Sequence, residues 1–358
     1  MFRAHWLIPL LAVLVLTGST TTSRFSISRV EFGHPIWTDG QRRAGVLFQD
    51  GAQSFPVAGG TLWTFGDTFV GHPLPGQPPQ NPQITGAQWC TVAWLPAGQT
   101  NLPPLLAYVT GTNGLAAGPL KLLPEESAKT NRLWPAGGIS LGARTYLFYT
   151  KIEINTNPPP WNFRGVGSGL AVAEQPWSSF ARLCPGGRWQ FPVEPVQIVR
   201  DGRYLYLFEI SHDPQGLILA RVAAPQIEDP GAYEFLTDHG WSTNRAGVKV
   251  ILREAYGQVS VVWNTTRRNY LMATSSDIFH PQEIQMRESA QLAGPWSAPV
   301  RIAVPEMPGK KTTLIYCTYL HPELSSPAAS RWVLTCCRML AGSWELSNPE
   351  WLTVTLAP

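Results

Sequence analysis

Short apolar runs, closed at each end by Gly, Pro, Asn or Asp, fill this chain from about residue 25 onward. Little of it carries the three-to-four-residue apolar spacing of a long helix, so the runs predict strands. Five of them repeat one arrangement, a small-residue turn followed by a strand with an aromatic at a fixed place. They are GGTLWTFGDTF at Gly59–Phe69, LGARTYLFYTKI at Leu141–Ile152, DGRYLYLFEIS at Asp201–Ser211, RRNYLMATSS at Arg267–Ser276 and SRWVLTCCRM at Ser330–Met339. Between Trp63, Tyr146, Tyr206, Tyr270 and Trp332 the intervals are 83, 60, 64 and 62 residues. Each unit reads as an inner strand, a tight turn and then the aromatic strand, as in Gly51–Val57 followed by Ala58-Gly59-Gly60. A hairpin cannot bury its own apolar face, so its recurrence at near-constant period implies radial stacking of the units. Five units predict an all-β fold, a single five-bladed β-propeller over residues 24–358.

Composition fits that picture. The 358 residues would ordinarily suggest two domains, but the repeat combines them in one ring. The 33 Pro and 32 Gly supply turns, and only 14% of residues are charged. A net charge of +3, spread singly along the chain, argues against a nucleic-acid partner. Arg3 and His5 precede an apolar run from Trp6 to Leu16 and then TGSTTTS, the layout of a signal peptide over residues 1–23. That run is short of the roughly 20 residues a bilayer span needs. Export is therefore expected, with no membrane attachment after cleavage. The five cysteines are odd in number and lack a C-x-x-C pair, so zinc has little support. Cys317 with Cys336 or Cys337 forms either a bridge or a set of buried hydrophobes. Two Pro-rich insertions, Gly71–Gln83 and Asn155–Gly165 with its Trp161, are candidate binding loops. FSISRVEF near the start and WLTVTL near the end both alternate, and one is expected to complete the last blade.

Candidate chemistry lies where hairpin folding places carboxylates. Folded about Ala58–Gly59, the first hairpin sets Asp50 opposite Asp67, and the third, folded about Asp201–Gly202, sets Glu194 opposite Glu209. All inner strands of a propeller run the same way, so both pairs fall on one rim. Cross-strand neighbours stand about 4.5–5.5 Å apart, whereas an inverting glycosidase needs about 6.5–9.5 Å between its carboxyls and a retaining one about 5–5.5 Å. A pair within one hairpin thus suits mutual raising of pKa, and an acid–base couple takes one member from each blade. Asp50 is expected as base or nucleophile and Glu209 as acid, with Asp67 and Glu194 tuning or positioning them. The competing expectations are turn hydrogen bonds for Asp67, solvation for Glu194 and a salt bridge from Arg221 to Glu209. The 15 Trp supply surfaces on which sugar rings stack. Trp63 and Trp332 belong to blade packing, whereas Trp134, Tyr256 and Trp263 are candidate substrate platforms. His321, in the LHPEL loop, is a candidate substrate-binding residue.

The run QDGAQSFPVAGGTLWTFGDTFVG resembles the opening signature of the bacterial domain-of-unknown-function 4185 propellers. AGGISLGARTYLFYT, DGRYLYLFEIS with GLILARV, GQVSVVWN with GPWSAP, and TYLHPEL follow in that family's order, so the likeness spans about Phe32 to Cys337. The family is similar to five-bladed glycosidase propellers of the arabinanase type, and the resemblance implies endo-acting hydrolysis of D-arabinan in mycobacterial-type cell walls. It carries Asp50 of the DG element and Asp67 of the GDT element across as acidic site positions. Gln49 and an apolar second unit without an acid depart from the pattern. The combined expectation is a secreted, monomeric glycoside hydrolase acting on an arabinan-type or related cell-wall polysaccharide. It requires no cofactor and no metal, although such propellers sometimes hold a calcium or sodium in the channel. The alternative is a non-catalytic carbohydrate- or surface-binding propeller.

Overall fold

The computed structural model describes residues 22–35, 38–72, 83–154, 162–275, 283–307, 309–340 and 348–357. Most of the expected signal segment, residues 73–82 of the first Pro-rich insertion and residues 155–161 of the second, Trp161 included, lie outside the described residues. The rest forms five antiparallel sheets arranged as a five-bladed propeller. The first blade runs outward from Val46–Val57 through Gly60–His72 and Thr91–Pro96 to Ala107–Tyr108. The second runs from Asn131–Leu141 through Arg144–Ile154 and Phe163–Ala173 to Ala181–Arg182. Gln197–Asp201, Tyr204–His212, Gln215–Ala223, Glu234–Thr237 and Gly240–Ser242 make the third. Tyr256–Asn264, Asn269–Ser275, Glu283–Ser289 and Val300–Ala303 make the fourth. Each inner strand touches the inner strand of the next blade, and Val46–Val57 touches Thr312–Leu320 of the fifth, which closes the ring.

Both candidate closing segments enter the fifth blade. Its order is Thr312–Leu320, Arg331–Leu340, Glu350–Ala357 and, outermost, Ser26–Pro35, which pairs with Glu350–Ala357. Joining strands from the two ends of the sequence in one sheet ties the ring shut without a covalent link.

The apolar runs are continuous because each sheet is covered on both faces by its neighbours. In the second blade Leu147 and Tyr149 pack with Phe55, Leu62 and Val92 of the first. The intervening Tyr146 and Phe148 pack with Ile198, Leu205 and Leu207 of the third. The repeated aromatic therefore serves either neighbour, depending on its parity from the turn. Tyr146 and Tyr206 turn toward the following blade, and Trp63, Tyr270 and Trp332 toward the preceding one.

Register departs from expectation in the third hairpin. Its turn is Gly202–Arg203, so Asp201 pairs with Tyr204 and Gln197 with Phe208. Gly202 adopts φ 58° as the first of the two central residues, a place that suits glycine, and the pairing shifts with it. Glu194 and Glu209 are consequently not cross-strand partners.

Candidate active site

Asp50, Trp134 and Glu194 each stand eight residues before the first turn residue of their hairpins, Ala58, Gly142 and Gly202. Inner strands run in parallel around the ring, so this shared spacing brings side chains from blades 1, 2 and 3 to one rim. A cross-channel bond sets the scale: Gln53 Nε2 donates to the Val196 carbonyl at 2.9 Å. The inner strands of blades 1 and 3 are thus spanned by one glutamine side chain just below the level of Asp50 and Glu194.

The first hairpin follows the expected register from Val57↔Gly60 to Gln53↔Thr64 and again at Gln49↔Thr68. Between these, irregular pairing surrounds Gly51 and Ala52, both at positive φ (94° and 84°). Here the two backbones crowd together. A Cβ on Gly51 would stand 3.0 Å from the Gly66 nitrogen, and one on Gly66 would stand 2.4 Å from Asp50 Oδ1. The DG and GD dipeptides of the opening signature therefore have a steric reason: glycine makes room for the carboxylate of one strand against the backbone of the other.

Asp50 and Asp67, both half-buried, are brought together at this irregularity. Burial, and then the charge of Asp67, push the Asp50 carboxyl up to about 7. The Tyr316 hydroxyl, from the inner strand of blade 5, donates to Asp50 Oδ2 at 3.3 Å. Burial raises Asp67 less far, to about 6. Each aspartate has two neighbours that favour its charged form, the Tyr316 hydroxyl and the Asp67 N–H on Asp50, Trp134 and Arg132 on Asp67. Asp50, however, also bears the charge of Asp67. Trp134 Nε1 donates to its Oδ1 at 2.7 Å, and the Arg132 guanidinium adds a favourable field. The two environments thus hold a proton on Asp50 while Asp67 ionises.

The second acidic pair is handled differently. Arg245 contacts both oxygens of Glu209, with Nη1 at 3.0 Å from Oε2 and Nη2 on Oε1, and the Glu194 backbone N–H also donates to Oε2 at 3.2 Å. Glu209 is buried with its acceptor sites occupied. That placement argues against the acid role expected for it, since a proton donor needs an oxygen open to the substrate. The competing expectation, a salt bridge from an arginine such as Arg221, holds in kind but with Arg245, since Arg221 pairs with Glu234. Glu194 keeps more freedom. Thr150 Oγ1 donates to its Oε1 at 2.8 Å, and burial together with the Glu209 charge raises its pKa. Thr150 is the cross-strand partner of Trp134, so one residue pair of blade 2 orients Asp67 on one side and Glu194 on the other.

Three further candidates part company. Tyr256 begins the inner strand of blade 4 on the carboxylate rim, half-buried. Trp263 does not join it. It lies at the turn end of the same strand, opposite Tyr270 and 43% exposed, on the far rim of the propeller. A turn near Arg267–Arg268 already puts Trp263 at the turn end of its strand in the sequence, so its expected place in the funnel does not follow from that turn. His321 is corrected outright: it is fully buried, stacked on Trp63 at 4.3 Å, with Ser54 and Thr335 hydroxyls each 2.8 Å from a ring nitrogen. Its ring cements blades 1 and 5 and is closed to substrate. All five cysteines are free thiols; Cys317 and Cys337 pack together below Tyr316 without a bridge. Among the described residues no three His, Cys, Asp or Glu side chains gather to hold a metal ion. In the same residues no helix is long and apolar enough to cross a membrane.

Sequence reasoning missed Arg245, Thr150, Arg132 and Tyr316. The eight-residue spacing was a usable signal for blades 1 to 3. In blade 5 the longer loop after Leu320 hides the equivalent position of Tyr316.

A family described as Domain of unknown function (DUF4185) matches residues 19–337. Among solved structures the chain is similar to a protein from Bacteroides ovatus ATCC 8483, with TM-score 0.63 and 16% identity over 88% of this chain and 87% of the other. It is similar at TM-score 0.50 to a GH43_1 enzyme from Xanthomonas citri, 12% identical over 88% and 92% of the two chains. At the same TM-score it resembles an exo-β-1,3-galactanase from Phanerochaete chrysosporium, 13% identical over 91% of this chain but 64% of the fungal enzyme. At these identities the likeness is one of fold. No curated protein sequence matches the chain.

Proposed function

The chain belongs to the family described as Domain of unknown function (DUF4185), and from that premise we propose that it is an exported glycoside hydrolase of arabinan-type or related polysaccharides. The observation that carries this is the Asp50–Asp67 pair. The carboxyls of two half-buried residues sit side by side on one rim, with environments that part their proton affinities around neutrality. Asp50, pushed up by burial and by its neighbour, is the acid that protonates the leaving oxygen. Asp67, held ionised by Trp134 and Arg132, is the nucleophile, because carboxyls side by side in one hairpin suit the roughly 5–5.5 Å of a retaining pair and leave no room for the water an inverting base would activate. This reverses the part expected for Asp50 and moves the acid away from Glu209. Glu194, oriented by Thr150, faces the substrate from blade 3, and the Glu209–Arg245 pair holds it in place. Trp134 contributes an indole edge beside the reacting carboxylate, and its ring meets Phe163 edge-on at 5.0 Å. The use of such folds by a GH43_1 enzyme and an exo-β-1,3-galactanase supports a sugar polymer as substrate. No step is routed through a metal.

The test is release of reducing ends from arabinan-type polymers and other plant and bacterial cell-wall polysaccharides. Wild type is expected to release them, and Asp50→Asn and Asp67→Asn to fall by about 10²–10⁴-fold. Equal release by wild type and both variants on every polymer would leave the hydrolase reading without support. Saturable glycan binding with no release would favour a non-catalytic binding propeller.

A further inference from the structure

At the rim beside Asp67 most cations are committed to carboxylates. Arg182 and Lys151 share Glu126 at 2.5 and 2.9 Å, Arg164 bonds Glu153 at 2.8 Å, and Arg245 clamps Glu209. Arg132 stands apart. Its guanidinium lies 3.7 Å above the Trp89 ring and is tethered through Nη1 to the carbonyls of Ala128 and Asn131, at 2.5 and 2.8 Å. Among the described residues no carboxylate forms an ion pair with it, and its Nε and Nη2 have no hydrogen-bond partner. Arg132 precedes Trp134 by two residues on the same inner strand, so both side chains emerge on one face, with Arg132 nearer the outside.

Charge around it points the same way. The open end of blade 2 carries Lys129, Arg132, Lys151 and Arg164, and Arg182 reaches it through Glu126. Against these five cations stand Glu125, Glu126 and Glu153. A net positive flank beside a cluster of acids attracts anions to that side of the mouth only.

We infer that the substrate is a glycan carrying an anionic group, a carboxylate or a phosphate, and that Arg132, laid flat on Trp89, binds that group one step outward from Trp134. The inference rests on the glycosidase reading for the placement of the sugar. A guanidinium fixed in plane presents its remaining N–H donors as a fork, the arrangement that carboxylate and phosphate oxygens match in pairs. Stacking on Trp89 and two backbone carbonyls fix the fork in advance, so little side-chain entropy is lost on binding. Arg132 is thus a specificity residue for the substrate as well as a source of the field on Asp67.

Binding separates this inference from the hydrolase reading. In the full chain carrying Asp50→Asn, calorimetry would compare oligogalacturonate, the same oligomer with its carboxyls reduced to alcohols, and glucose 6-phosphate against glucose. The charged member of at least one pair is expected to bind about tenfold or more tighter than its neutral counterpart, as a charge-assisted contact implies. Which pair shows the preference identifies carboxylate or phosphate. Arg132→Gln is expected to abolish the preference by weakening the charged members far more than the neutral ones, Arg132→Lys to retain part of it, and added salt to shrink it. Equal affinity for charged and neutral members overturns the inference, and so does absence of binding by both charged probes. An Arg132→Gln variant that weakens charged and neutral ligands alike overturns it too, because that outcome makes Arg132 only a prop for Trp89. A charge preference without hydrolysis by wild type would sink the hydrolase reading and leave this one standing. Hydrolysis without charge preference would do the reverse.

Discussion

Blades 1 and 3 each bring two carboxyls together on the same rim, yet only in blade 3 is one member clamped by an arginine. Each pair receives a hydroxyl and a backbone N–H: Thr150 on Glu194 and the Glu194 N–H on Glu209 in blade 3, Tyr316 and the Asp67 N–H on Asp50 in blade 1. The fold adds a guanidinium only on Glu209. Between Asp50 and Asp67 it places no cation, and the nearest, Arg132, acts on Asp67 from a distance. Like charges so close in partly buried surroundings resolve their conflict by keeping a proton. Blade 3 has committed Glu209 to structure and left Glu194 facing the site, whereas blade 1 keeps a proton in reserve. Two acidic pairs equally visible in a sequence therefore differ in function by one arginine located 36 residues beyond Glu209.

The comparison breaks most sharply in activity. Asp50→Asn and Asp67→Asn are each expected to cost about 10²–10⁴-fold in kcat on any polymer the wild type cleaves. Glu209→Gln is expected to act chiefly on stability, lowering it by roughly 1–3 kcal/mol in urea unfolding because Arg245 loses its partner. The figure sits at the lower end of buried-pair losses because Arg245 is itself 38% exposed and solvent screens it. A Glu209→Gln enzyme as inactive as Asp50→Asn, with unchanged stability, would erase the distinction between the blades.

A third consequence concerns pH and stability. The folded Asp50–Asp67 pair binds protons more tightly than an unfolded chain, whose aspartates titrate near 3.9. Its favourable contribution is therefore complete below about pH 4 and is lost as the pH climbs through about 6 to about 7. Asp50→Asn should accordingly melt at a higher temperature than wild type at pH 8, with the difference vanishing below about pH 4. Differential scanning calorimetry across that range reads it directly. A wild type that gains stability on the variant between pH 4 and 8 would contradict the pairing.

The smallest effect is on the pH–rate profile. With Asp67 ionised and Asp50 protonated as the active form, kcat/KM follows a narrow bell with limbs at about 6 and about 7 that belong to the pair jointly. Trp134→Phe removes the N–H that favours ionised Asp67, so the acid limb should move to higher pH by a few tenths of a unit while the alkaline limb stays.

The sequence made the fold legible because its signal is periodic and local. Turn glycines and apolar runs recur at hairpin scale, and a ring of hairpins needs nothing subtler. It also revealed Asp50 and Asp67, whose register is counted from a turn only eight residues away. Glu194 and Glu209 came close to each other for the wrong reason, since a one-residue move of the turn to Gly202–Arg203 undid their expected pairing. What stayed hidden depends on contacts between blades. Tyr316 meets Asp50 across 266 residues of chain, Gln53 reaches Val196 across 143, and His321 is sealed by Trp63 from another blade. No local pattern records such meetings. His321 misled because a histidine beside prolines in a loop looks accessible, whereas its ring fills the seam between two sheets.

The most direct measurement of the central claim is the carboxyl stretch of the folded protein, followed by infrared difference spectroscopy of wild type minus Asp50→Asn from pH 4 to 9. A protonated carboxyl band present at pH 6, disappearing with an apparent midpoint about 7 and missing from the variant, is the predicted result. A difference spectrum showing Asp50 fully ionised by pH 5 would mean that the pair keeps no proton near neutrality, and the assignment of acid and nucleophile in blade 1 would fall with it.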